Sequence, residues 1–231
     1  EEFNMEKNYY GDLSIIGMKG SEKFLENVDW YLHQWRQDKE GTFLVNADCP
    51  RFGSGEGKGI IHETLRGQDT YIFADVFNYG VTYLMYGMNV PMSPDDHYQD
   101  LKRIICAIGG KARRVSVIMP MLYEGRQHRR TARESLDCAM ALQELDSMGI
   151  SNIITFDAHD PRVQQAIPRS GFDNVRPAYQ MLKALVREFS DITFDKDTMM
   201  IVAPDEGAMS RSMYYTSILG LELGMFYKRR N

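Results

Sequence analysis

The sequence predicts an α/β fold, an open and mostly parallel sheet flanked by helices. Short apolar, β-rich runs alternate along the chain with amphipathic helical patterns, and such alternation builds βαβ units around a parallel sheet. Runs such as Val115-Ser116-Val117-Ile118-Met119 carry little polar alternation, which suits strands covered on both faces. No internal repeat and no long linker breaks the pattern.

In chain order, residues 22–38 predict a helix with Phe24, Leu25, Val28, Tyr31, Leu32 and Trp35 on its buried face. The predicted strands are 70–76, 114–119, 152–156, 199–203 and 221–227. Amphipathic helices are predicted over 95–108, 135–148, 177–189 and 207–219; Leu136, Met140 and Leu145 recur at helical spacing, as do Leu182, Leu185 and Phe189. Residues 77–92, rich in Tyr, Met and Gly, admit a lid, an oligomer contact or a packed insertion. The last is taken, because Met and aromatic side chains usually fill cores.

The composition is that of a folded chain: 231 residues, 43% hydrophobic and 26% charged. With 27 basic and 32 acidic residues the net charge is −5, which argues against a broad nucleic-acid surface. No apolar run approaches the roughly 20 residues that span a bilayer, and the acidic start is unlike a signal peptide. Cys49, Cys106 and Cys138 are odd in number and never spaced C-x-x-C, so the expected compartment is the reducing cytoplasm.

Ligands of open parallel sheets bind beyond the carboxyl ends of the strands. Strand 152–156 is followed by Asp157-Ala158-His159-Asp160, strand 199–203 by Pro204-Asp205-Glu206-Gly207, and strand 114–119 by a loop holding Arg126, Arg129, Arg130 and Arg133. Asp157 could simply cap a helix, Asp205 and Glu206 could serve a helix dipole, and the arginines could be a solvated face. Against the last stands the lack of any acid between Glu124 and Glu134. Clustered guanidinium groups suit phosphate, and carboxylates suit the magnesium that phosphates bring. No G-x-x-x-x-G-K-[ST] loop and no G-x-S-x-G elbow is present.

Five ordered segments resemble the ribose-phosphate diphosphokinase (phosphoribosyl diphosphate synthetase) family. Arg51-Phe52-Gly53-Ser54-Gly55-Glu56, followed by Glu63-Thr64-Leu65-Arg66-Gly67, is similar to its early hairpin and E-S-V-R-G segment. Met119-Pro120 through Arg126-Gln127 resembles its I-P-Y-x-x-Y-x-R-Q stretch, Thr155-Phe156-Asp157-Ala158-His159 its T-x-D-x-H, and Ala203-Pro204-Asp205-Glu206-Gly207 its S-P-D-x-G. Lys228-Arg229-Arg230 matches the start of its flexible catalytic loop.

The resemblance implies a phosphoribosyltransferase-like fold. Residues 1–45 are then expected to be an N-terminal helical extension, 46–175 the N-terminal domain, and 176–231 the start of a second, similar domain. It implies that Phe52, Ser54 and Glu56 meet adenine in a site shared with a neighbouring subunit of a homo-oligomer. Arg126 and Gln127 hold ATP; His159 and Asp205, with Asp157 beside them, organise Mg2+; Lys228 and Arg230 close on the transferring group. The implied reaction moves a diphosphoryl group from Mg-ATP to ribose 5-phosphate, giving phosphoribosyl diphosphate and AMP for nucleotide biosynthesis.

The sequence departs from the family in three places. His128 and Thr131 stand where the family commonly has acids, and 77–92 is longer than the usual connection. The D-D-x-x-x-T-G strand end is absent, so the sequence reads as stopping inside the catalytic loop. Two alternatives are a non-catalytic regulatory or scaffold homologue, and a metal-dependent hydrolase built on Asp157, His159, Asp160 and Asp205.

Overall fold

The computed structural model describes residues 10–37 and 40–227. The chain divides into two compact units, 1–175 and 176–231, each described by itself. In the first, β1 (Leu13–Gly17), α1 (Glu22–Arg36) and β2 (Leu44–Val45) form the opening βαβ unit. An antiparallel pair follows, β3 (Ala47–Asp48) and β4 (Ile60–Ile61), and then β5 (Asp69–Phe73). A second antiparallel hairpin, β6 (Thr82–Met85) and β7 (Met88–Pro91), precedes α2 (Pro94–Ile108) and β8 (Arg114–Met119). The unit closes with α3 (Asp137–Ser147), β9 (Asn152–Phe156), a 3-10 turn Pro161–Ala166 and β10 (Gly171–Val175).

The main sheet is parallel throughout, in the order β10-β9-β8-β5-β1-β2. Its register lines up Ile16, Ile72, Val117 and Ile153 in one row, each at most 1% exposed. Leu101, Ile104 and Ile108 of α2 and Leu142 and Leu145 of α3 share that row's core. Removing each such side chain from water is worth about 1.5–3 kcal/mol. The neighbouring strand positions Ile15 and Phe73 instead join Leu25, Val28 and Leu32 of α1. Helices therefore cover both faces, as the non-alternating strands require. The chain steps from β1 outward to β2 and then back to β5 on β1's other side, so the order reverses between β1 and β5.

Local sequence explains the start and end of α2. Ser93 accepts a hydrogen bond from Asp96 N–H at 3.1 Å, Asp96 accepts one from Ser93 N–H at 2.9 Å, and Pro94 opens the first turn. Gly109, at φ 60°, ends it in the left-handed region.

Several expectations are corrected. The segment expected as an N-terminal helical extension, 1–45, holds two strands of the main sheet among its described residues, β1 and β2. β1 and β10 stand outside the predicted strands: β1 is a five-residue run, and Gly171–Val175 holds one aromatic among polar residues. On α1 only Leu25 is buried among the named residues, with Val28 and Leu32 half-buried; Phe24, Tyr31 and Trp35 are 53%, 52% and 74% exposed. A single sheet face admits the narrow stripe of 25, 28 and 32 and leaves the flanking aromatics outside. Residues 77–92 hold a β-hairpin whose tip is exposed rather than packed.

The second unit comprises α4 (Ala178–Glu188), β11 (Met200–Ala203), a 3-10 turn Glu206–Ala208, α5 (Met209–Leu219) and β12 (Glu222–Met225). β11 and β12 pair in parallel, with Ala203 opposite Met225, so α5 is their crossover.

The three cysteines are free thiols in different surroundings. Burial, then the Asp100 carboxylate, pushes the Cys49 thiol up to about 12, and burial pushes Cys138 up to about 11. Cys106 is exposed. Because the thiolate is the reactive species, a chromogenic disulfide reagent at pH 8 is expected to consume one thiol quickly in the native protein and three after denaturation. A second fast native equivalent would show that the base of the β3–β4 hairpin opens.

Candidate active site

The carboxyl ends of β8 and β9 lie side by side, with Met119 opposite Thr155. Pro120 O accepts the Phe156 N–H at 3.2 Å, which knits the two exits together. The chain after β8 turns tightly: Gly125 N–H reaches Leu122 O at 3.0 Å, Gln127 N–H reaches Glu124 O at 2.8 Å, and Glu124 sits at φ 54°. This turn carries Arg126 and Gln127 out to solvent, while Gln127 O accepts the Cys138 N–H at the start of α3. Tyr123 fixes the loop from below. Its ring stacks on Tyr98 at 4.2 Å and its hydroxyl donates to Asp95 at 2.7 Å. Burial, then that bond, pushes the phenol above its ordinary range. Burial also raises the Glu124 carboxyl, helped by the negative charges of Asp137 and Asp95.

Asp157 and His159 are exposed on the exit from β9. Asp157 adopts φ 48°, an uncommon conformation for a non-glycine residue that is enriched at functional sites. It is held by its N–H to Val175 O at 3.0 Å, and Ala158 N–H donates to Asn174 Oδ1 at 2.9 Å. Asp160 is buried and caps the Pro161–Ala166 turn through Arg162 N–H at 3.0 Å. Hydrogen bonds from the Arg162 side chain, at 2.9 and 2.6 Å, hold its carboxyl well below the usual range despite burial.

The arginine loop after β8 therefore has an acidic partner after all, which its own sequence lacks. Arg129 stands 3.7 Å from Asp160 and His128 Nε2 stands 3.4 Å from it. The His128 side chain is 9% exposed, and neither ring nitrogen completes a hydrogen bond. The His128 and His159 rings lie 5.2 Å apart. This His128–Asp160 pair was not legible in either segment alone; its only sequence signal is the histidine standing where the resembled family has an acid.

Phe52, Ser54 and Glu56 occupy a second place, the loop joining β3 and β4. Phe52 N–H donates to Glu56 O and Gly55 N–H to Phe52 O, both at 2.8 Å, and the Ser54 hydroxyl meets Glu56 Oε2 at 2.8 Å. The buried Arg51 side chain anchors this loop to α2. It donates to Gly55 O at 3.0 Å and to Asp96 O at 3.2 Å, and pairs with Asp100 at 3.0 Å. Its guanidinium also lies 4.8 Å over the Tyr83 ring.

The structure thus brings Arg126 and Gln127 to the same sheet edge as Asp157 and His159. Asp205 belongs to the second unit, half-buried, and its carboxylate accepts the Ala208 N–H at 3.2 Å as a turn cap. Lys228 and Arg230 lie outside the described residues. Among the described residues no group of three or more His, Cys, Asp or Glu is arranged to hold a metal ion. A magnesium carried by nucleotide phosphates needs only one or two protein oxygens, so the exposed Asp157 fits that lesser demand. A cavity of about 650 Å3 opens elsewhere, past the end of β1; Lys19, Glu22, Asn46, Cys49 and His97 line it, and none of the predicted site residues does. The converging charged side chains, not that volume, mark the candidate site. No helix among the described residues is long and apolar enough to cross a membrane.

Comparison with known proteins bears on the family and the fold. Ribose-phosphate pyrophosphokinase of Staphylococcus haemolyticus (strain JCSC1435) is 24% identical over 221 residues, covering 94% of this chain and 60% of that protein. The enzyme of the same name from Fusobacterium nucleatum subsp. nucleatum is 25% identical over 220 residues, covering 94% and 63%. The chain thus spans about three fifths of the length of these relatives. A crystal structure of phosphoribosylpyrophosphate synthetase from Mycobacterium smegmatis superposes with a TM-score of 0.75 at 19% identity, over 95% of this chain and 65% of that one. The α/β fold with a phosphoribosyltransferase-like parallel sheet is therefore shared with that structure. Residues 13–149 match the family model of the N-terminal domain of ribose phosphate pyrophosphokinase, and the chain belongs to that family.

Proposed function

We propose that the protein transfers the diphosphoryl group of Mg-ATP to ribose 5-phosphate, giving phosphoribosyl diphosphate and AMP. The observation that carries this reading is the pairing of β8 with β9, whose adjoining carboxyl ends lead into the segments that hold Arg126 and Gln127 on one side and Asp157 and His159 on the other. Guanidinium and amide donors there suit phosphate oxygens, while Asp157 and His159 suit the magnesium of the nucleotide. Attack by the anomeric hydroxyl on the β-phosphorus asks the protein chiefly for alignment and charge neutralisation. Lys228 and Arg230, basic like the start of the family's catalytic loop, would supply positive charge to the reacting phosphates. Phe52, Ser54 and Glu56 would meet the adenine, in a site shared between subunits of a homo-oligomer. We place this activity in nucleotide biosynthesis and, from the three free thiols, in a reducing cytoplasm.

The test is AMP formation from Mg-ATP by the intact protein, including whatever chain follows Asn231. Formation that requires ribose 5-phosphate is expected; turnover indifferent to that sugar would end the proposal. A scaffold reading is favoured by one observation, the buried His128 in place of the family's acid. Calorimetry separates the two, because a scaffold shows no magnesium-dependent binding of ADP.

A further inference from the structure

The hairpin β6–β7 and the loop of residues 52–56 meet at their tips. Tyr86 N–H donates to Gly53 O at 2.9 Å. Gly55 sits at φ 90°, a conformation that favours glycine, and a Cβ there would lie 2.9 Å from Met85 Sδ and 3.9 Å from the Tyr83 ring, so the loop backbone lies close against the hairpin. The Arg51 guanidinium over Tyr83 adds a third attachment. The hairpin is therefore fixed against the loop, and its tip residue Tyr86 is tied one position from Phe52.

Tyr86 is an unusual choice for its position. Tyr86 at φ 48° and Gly87 at φ 80° form a two-residue turn between Met85 and Met88, with both central residues in the left-handed region. Such turns favour Asn or Asp before Gly, because a bulky side chain at positive φ is strained. Packing does not compensate, since Tyr86 is 77% exposed. An aromatic ring held at a backbone cost, in water, on a tip whose backbone is bonded one residue from a second exposed aromatic (Phe52, 54% exposed), is the arrangement expected of a surface that receives another flat, apolar face.

We propose that the β6–β7 hairpin forms part of the nucleotide-base site, with the Tyr86 ring supplying a stacking surface for the base alongside Phe52. The inference rests on the reading of residues 52–56 as the nucleotide loop and adds a residue to it. Ser54 and Glu56, bonded to each other at 2.8 Å, offer polar groups at the same tip for the base edge.

The test compares two ligands, ATP and inorganic triphosphate, by calorimetry on the intact protein with magnesium. Tyr86→Asn suits the left-handed turn and removes the ring; Tyr86→Phe keeps the ring. Stacking on one aromatic face corresponds to roughly tenfold in affinity. The expected result is a tenfold weaker Kd of Tyr86→Asn for ATP, an unchanged Kd for triphosphate, and wild-type values for Tyr86→Phe. If Tyr86→Asn binds ATP like the wild type, or weakens both ligands equally, the hairpin is only a brace and the inference is overturned. Failure of the underlying reading looks different: wild-type protein would then prefer ATP no more than triphosphate, and Phe52→Ala would change neither.

Discussion

His159→Ala is expected to lower ribose 5-phosphate-dependent AMP formation by about a hundredfold or more, while the free energy of unfolding stays within about 0.5 kcal/mol of wild type. The two halves of this expectation have separate causes. His159 is exposed, on a β9 exit whose backbone is fixed by Asp157 and Ala158, so its removal leaves neither a core cavity nor a broken cap. The transfer reaction, in contrast, concentrates charge on phosphate oxygens and depends on groups already in place to meet it. Steady-state rates across a magnesium titration check both the loss and its origin. Recovery at high magnesium would tie the imidazole to holding the nucleotide's metal. Activity within tenfold of wild type at every concentration would remove His159 from the site.

Arg51→Met is expected to cost about 3 kcal/mol of stability, read as a lower urea midpoint at unchanged slope. The Arg51 and Asp100 side chains are 9% and 6% exposed, so deleting the guanidinium strands a carboxylate away from water. Arg103, at 2.6 Å from Asp100, keeps the effect at the lower end of what orphaned buried charges cost. Gly55 O loses its donor at the same time, which loosens the loop of residues 52–56 and, under the proposed function, is expected to weaken ATP binding. The double variant Arg51→Met, Asp100→Leu should recover part of the loss, because removing both charges is milder than stranding one. A single-variant loss under about 1 kcal/mol would mean that Asp100 finds other partners.

How far the sequence could be read follows from how locally each feature is determined. β8 and β9 were placed at their observed limits because their apolar runs are short, dense and bounded by turn residues. α2 is legible from its amphipathic pattern over 95–108, while the Ser93, Pro94 and Asp96 cap that sets its start is a finding of the structure. Leu13–Gly17 escaped notice although it lies beside the point where the strand order reverses, since its five residues make a weak signal on their own. The wide aromatic stripe expected on α1 exceeded what one sheet face can cover. At the candidate site, residue types after each strand pointed to the β8 and β9 exits. The arrangement of His128 and Arg129 around Asp160 did not show, because three-dimensional pairing across two loops leaves no local pattern.

The first turn of α2 sets a constraint on how this sequence can change. Asp95 holds the loop after β8 through Tyr123, and the adjacent Asp96, with Asp100 one turn on, holds the loop of residues 52–56 through Arg51. Two separate surface loops therefore take their positions from one rigid rod. Lengthening either loop at its exposed end leaves both tethers intact. Inserting or deleting a single residue ahead of Asp95 within that turn rotates the following side chains by about 100°, and both loops lose their anchors together. Drift in length is thus open to the loops and closed to the helix between them.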